Sequence, residues 1–105
     1  MIKEDIFSTI KSVVHTYLPE SRILLFGSRA KGNVNRNSDY DIIIVTNETF
    51  ETKVKHAWKS KIHKTLVNVL ELPFDILLNS EKEILYKKNL PGHLVRTIMK
   101  DAIEI

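Results

Sequence analysis

The chain contains no cysteine and only three glycines, three prolines and 8% aromatic residues. Without thiols it can form neither a disulfide nor a thiolate metal site, which agrees with a reducing compartment. No apolar run approaches the roughly 20 residues that a membrane span requires. The first residues, Met1-Ile2-Lys3-Glu4-Asp5, are charged and amphipathic rather than a signal peptide. The chain is therefore read as cytoplasmic, with no membrane partner. It shows no linker, internal repeat or low-complexity segment. Its 105 residues are expected to form one domain, 1–105, with a single core. Hydrophobic residues make up 43% and charged residues 28%, ordinary values for a globular domain. The net charge of +3 suits a polyanionic ligand but does not by itself argue for nucleic acid.

Hydrophobic spacing orders the chain. Ile2, Ile6, Ile10, Val13, Val14 and Tyr17 recur at helical intervals, predicting a helix over 2–17 that Pro19 ends. Arg22–Phe26 reads as a short strand, Ser28–Lys31 as a helical turn and Asn33–Ser38 as a polar turn. Tyr40–Thr46 reads as a strand buried on both faces. A second long helix is expected over about 50–70, with Trp58 in the core, and a third strand over Phe74–Leu78. Ser80-Glu81-Lys82-Glu83 carries a capping-box signature. A short helix around Leu94–Met99 follows, and Ala102–Ile105 is a candidate final strand. The expected class is α/β (α+β): a single small domain with helices packed on a mixed β-sheet.

Two of the three glycines, Gly27 and Gly32, fall in one segment, Leu25-Phe26-Gly27-Ser28-Arg29-Ala30-Lys31-Gly32. An apolar strand stops at Gly-Ser, where a glycine lets the backbone turn and approach a phosphate closely. A helix beginning at Ser28 would offer free N–H groups to phosphate oxygens. Ser38-Asp39-Tyr40-Asp41 then opens the next apolar run. Side chains two apart on a strand share a face, so Asp39 and Asp41 point the same way. Carboxylates, water and phosphate oxygens are the donors Mg²⁺ prefers. Two such ions about 4 Å apart can activate an attacking oxygen and stabilise a leaving one. Asp75, in Pro73-Phe74-Asp75-Ile76-Leu77, is the candidate third carboxylate, and as an acid within an apolar strand it is expected to have a partner. Arg29 and Lys31 lie beside the candidate phosphate site, where a cation could stabilise developing negative charge.

These residues resemble the minimal nucleotidyltransferases (MNT) of the DNA polymerase β superfamily. The resemblance rests on Gly27-Ser28, on Asp39 and Asp41 eleven and thirteen residues after Ser28, and on Asp75 in a later strand. It extends over essentially the whole chain. It implies a polymerase β palm-like fold, a small mixed sheet whose two central strands carry the acids. It implies AMP transfer from ATP to a hydroxyl with two Mg²⁺ ions. Gly27, Ser28, Arg29 and Lys31 would bind the nucleotide; Asp39, Asp41 and Asp75 would be the catalytic and metal-binding residues. Small members of the family resemble antitoxins of HEPN-type ribonucleases, which implies a toxin tyrosine as acceptor and a protein partner, with homo-oligomers also open. The chain has no room for the fingers and thumb of a template-directed polymerase.

Other readings stand beside this one. Gly27-Ser28 also fits a plain strand-to-helix turn with Ser28 as N-cap, Ser38-Asp39 fits a loop end, and Asp75 fits an edge-strand acid that faces water. Lys53, Lys55, Lys59, Lys61 and Lys64 crowd one helix with His56 and His63, as a solvated face or as a surface for RNA or an acidic partner. A non-catalytic antitoxin that blocks its toxin sterically, or an RNA-binding module, are the alternative functions.

Overall fold

The computed structural model describes residues 3–27 and 39–105. The elements run α1 (Lys3–Tyr17), β1 (Arg22–Phe26), β2 (Tyr40–Thr46), α2 (Thr52–Leu70), β3 (Phe74–Ser80), α3 (Glu81–Lys88), α4 (Leu94–Asp101) and β4 (Ile103–Glu104). The turns expected at Ser28–Lys31 and Asn33–Ser38 lie outside the described residues. The strands form one mixed sheet in the order β3-β2-β1-β4. β1 is antiparallel to both β2 and β4, while β2 and β3 are parallel. A parallel pair cannot be closed by a tight turn, and α2 provides the crossover.

Strand alternation divides the core between two faces. Ile23, Leu25, Ile42, Ile44, Phe74, Ile76 and Leu78 face α1 and α2, meeting Ile6, Ile10, Val14, Ile62 and Leu66. Leu24, Ile43 and Val45 face the other way, against Ile84 of α3 and Val95 of α4. β2 is therefore covered on both sides, and Ile42, Ile43 and Ile44 are each 0% exposed. Trp58 is a partial exception to the expected core: it is half-buried at the margin, with Tyr17 at 6.2 Å between centroids and the Lys61 ammonium over its ring at 5.6 Å. Among the described residues, no helix is long and apolar enough to cross a membrane.

β3 continues past the expected end at Leu78. Ser80 still pairs with Thr46, and it is also the N-cap of α3, so strand and helix meet without a loop. The capping box is complete. The Glu83 N–H donates to the Ser80 hydroxyl at 3.0 Å, and the Ser80 N–H donates to the Glu83 carboxylate at 2.9 Å. Lys55 of α2 adds an ion pair to Glu83 at 2.6 Å, and the Thr49 hydroxyl donates to Ser80 at 2.7 Å. At the opposite sheet edge, Arg22 bridges Glu81 and Glu104 at 2.8 and 2.9 Å, tying β4 to the start of α3.

The two central strands were expected to carry the acids. Asp41 lies on inner strand β2, but Asp75 lies on β3, at the edge of the sheet. The reason is topological: after β3 the chain crosses the sheet through α3 and α4 and pairs at the far edge, beside β1.

Burial alone would raise the Glu83 carboxyl. The hydrogen bonds from Lys55 and the Ser80 N–H, with the charges of Lys55 and Lys87, outweigh it and hold the group below its ordinary range. A depressed carboxyl stabilises the fold above its unfolded pKa, and that contribution disappears as pH falls through the folded pKa. Glu83→Gln keeps a capping acceptor but loses the ion pair. It should cost about 1–2 kcal/mol at neutral pH, and urea denaturation should show the difference from the parent closing in acid.

Candidate active site

The register of β2 assembles the site. Asp41 pairs with Phe26 of β1 on one side and with Asp75 of β3 on the other. Directly opposed residues share a sheet face, so Asp41 and Asp75 point the same way. Asp39 immediately precedes β2, two residues before Asp41. Farther along, that face is apolar, with Ile43, Val45 and Leu77 covered by α3 and α4. The carboxylates therefore continue a core-facing row beyond the covering helices, at the end of the sheet where β1 stops and β2 and β3 start. Exposure follows: Ile43 is buried, Asp41 half-buried, and Asp39 and Asp75 exposed. Asp75 was read either as an acid with a metal or basic partner or as an edge-strand acid facing water; it lies on the edge strand and is exposed.

The opposite face locks this end of the sheet. Tyr40 and Phe74, each beside an acid in sequence, stack at 5.5 Å between centroids and 28° between planes. The Tyr40 N–H donates to the Pro73 carbonyl at 2.9 Å. These two rings fix the relative height of the strands and so of the carboxylates. Spacing did not single them out; the available signal was an aromatic next to each acid.

Gly27 completes the described part of the site. Its φ is +75°, in the left-handed region, and a Cβ built there would overlap the Asp41 carboxylate. Any other residue would meet both backbone strain and a collision with that group. Ser28, Arg29 and Lys31 lie outside the described residues.

The site is electrostatically strained. Burial, then the negative charges of Asp75 and Asp39, push the Asp41 carboxyl above its ordinary range. Three hard oxygen donors that repel one another on one face are chemically suited to a divalent cation. Among the described residues, no three His, Asp or Glu side chains are already gathered into a metal-ligand set. The fit therefore rests on donor type, register and mutual repulsion.

The chain belongs to the nucleotidyltransferase domain family, whose model matches residues 8–105. It is 29% identical over 103 residues to a protein of Methanocaldococcus jannaschii that bears the name protein adenylyltransferase MJ0141, with 96% of each chain covered. Its fold resembles a toxin–antitoxin crystal structure with AMP-PNP, with a TM-score of 0.62 and 17% identity over 98% of this chain and 72% of the other. It also resembles a complex of the tri-AMPylated HEPN toxin of Shewanella oneidensis with its MNT antitoxin. That match has a TM-score of 0.60 and 13% identity over 98% of this chain and 71% of the other.

Two substitutions probe the strain. A raised carboxyl pKa means that ionised Asp41 destabilises the fold. The penalty is absent below the unfolded pKa, grows as pH rises and is complete above the folded pKa. Asp41→Asn should therefore stabilise the metal-free protein at neutral pH by on the order of 1 kcal/mol, a gain that thermal melts should show vanishing in acid. Gly27→Ala should destabilise by about 1–3 kcal/mol. In a double-mutant cycle with Asp41→Ala, only the part due to the collision should be relieved, leaving the φ strain.

Proposed function

We propose that the chain, with residues 1–105 acting as one domain, transfers AMP from Mg-ATP to a hydroxyl of a partner protein. The acceptor is a tyrosine of a cognate HEPN-type ribonuclease toxin, for which this chain is the antitoxin. The observation that carries this reading is the pairing of Asp41 with Asp75, with Asp39 two residues upstream, in a member of the nucleotidyltransferase family. The name of the M. jannaschii relative, and the toxin–antitoxin complexes that share the fold, support the same acceptor class.

Gly27 and Ser28 hold the triphosphate, with Arg29 and Lys31 beside it. Asp39, Asp41 and Asp75 would hold two Mg²⁺ ions, which would supply Lewis-acid stabilisation of the attacking and leaving oxygens. The acceptor oxygen bonds to the α-phosphorus, the α–β phosphoanhydride bond breaks, pyrophosphate leaves and the hydroxyl proton is released. The chain's contribution is positioning and electrostatics.

Steric blocking is a second reading. Leu85, Tyr86 and Leu94 on α3 and α4 are 58%, 68% and 62% exposed, an apolar surface available for binding without chemistry.

Intact-mass spectrometry of a co-purified partner, after incubation with the protein, ATP and Mg²⁺, separates the two. Catalysis should add one or more AMP units, and the Asp39→Ala, Asp41→Ala double variant should add none. A double variant that still silences the toxin, with no mass gain from the parent, would establish the steric reading instead.

A further inference from the structure

The helix α2 carries charge of one sign only. Its 19 residues include five lysines, two histidines and no acid. That composition is locally unfavourable. Lys53 and Lys55 stand in the first turn, where the helix dipole favours negative charge, and Lys55 and Lys59 repel at i, i+4. Lys55 is answered by Glu83. Among the described residues, no carboxylate pairs with Lys53 or Lys61.

These two lysines flank an apolar strip. Lys53, Val54, Ala57, Trp58 and Lys61 line an open groove of about 330 Å³ along the outer side of α2. Val54 is 41% exposed, Ala57 is exposed and Trp58 half-buried, so the floor is apolar and accessible while both ends are cationic. The groove lies away from the nucleotide chemistry. Ile42 and Ile76 face α2, so their strand neighbours Asp41 and Asp75 point to the opposite side of the sheet.

The lining decides among occupants. A nucleic-acid base needs an open aromatic face on which to stack. The Trp58 ring is already engaged, by Tyr17 at 6.2 Å between centroids and by the Lys61 ammonium 5.6 Å from its centroid. A second copy of the chain, meeting this stripe across a two-fold axis, would set lysine against lysine. A short apolar strip between cations is the counterpart of an amphipathic helix with an apolar seam and acidic flanks.

We propose that the Val54–Trp58 stripe of α2 docks an acidic amphipathic helix of a partner protein. Val54, Ala57 and Trp58 receive its apolar seam, and Lys53 and Lys61 pair with its carboxylates. Because the aspartates lie on the other face of the sheet, a partner held here leaves the candidate active site open. The stripe is a tether rather than an acceptor site, and it does not depend on the nucleotide reading.

The test is a ¹H–¹⁵N titration of the whole protein with a helical peptide of about three heptads, with leucine at a and d and glutamate at e and g. Control peptides carry glutamine or lysine at e and g, and a single-stranded RNA of about 12 nucleotides is titrated in parallel. The glutamate peptide should shift the amides of residues 53–61 and the Trp58 indole N–H. At low salt it should bind about tenfold more tightly than the glutamine peptide. The double variant Lys53→Glu, Lys61→Glu should prefer the lysine peptide, with the amides of residues 40–46 unmoved as a check on the fold. Mg-ATP should shift Gly27 and Asp41 equally with and without the glutamate peptide. No binding of that peptide, equal binding of the lysine peptide, shifts confined to other surfaces, tighter binding of the RNA, or an unchanged preference after charge reversal would overturn the proposal. A peptide that blocked the Mg-ATP response would overturn it as well, whereas a free protein that ignored Mg-ATP would count against the nucleotide site alone.

Discussion

The mutual repulsion of Asp39, Asp41 and Asp75 is the constraint on which the rest of the structure depends. Burial first, and then the negative charges of Asp75 and Asp39, push the Asp41 carboxyl above its ordinary range. The three carboxylates are held together because their strands cannot move apart. β2 is buried on both faces, and its pairing with β1 and β3 is backed by two apolar clusters. Stability generated by Ile42, Ile43 and Ile44 is thus drawn on a few residues away, at the exposed end of the same strand. Functional sites commonly store strain in this way, with the surrounding fold over-determining the strained groups.

The constraint also accounts for features that look incidental. Gly27 leaves space for the Asp41 carboxylate at the point where β1 ends. The Tyr40–Phe74 stack fixes the heights of the two strands from behind. The loopless joint at Ser80, with Thr49, Lys55 and Glu83 around it, anchors the far end of β3. A strand held at both ends keeps Asp75 in register with Asp41 even though nothing pairs on its outer side among the described residues.

Much of this was legible in the sequence because the signals were local. Helical spacing placed α1 and α2 to within two residues, and the Ser80–Glu83 pattern gave the capping box. The alternation of acid and apolar residues placed Asp39 and Asp41 on one face. What was not legible depended on strand order. A pattern read along one strand does not say which strand lies beside it, so the sequence left Asp75 open between a partnered acid on a central strand and an edge-strand acid facing water, and strand order decides for the edge. Trp58 packs against the core cluster as helical spacing indicated but is only half-buried, because that spacing marks the inward side of α2 and not how far the neighbouring helix reaches over it.

The shortness of β4 bears on how the molecule behaves in a crowded solution. An exposed strand edge is a template for pairing with another chain, and natural sheets blunt such edges with charge and brevity. β4 contributes only Ile103 and Glu104, and Glu104 is engaged by Arg22. Among the described residues, one margin of the sheet thus ends in a two-residue strand whose acid is engaged within the chain, while the other is flanked by the lysine- and histidine-bearing side of α2. The two margins therefore present different chemistry to any chain that approaches them.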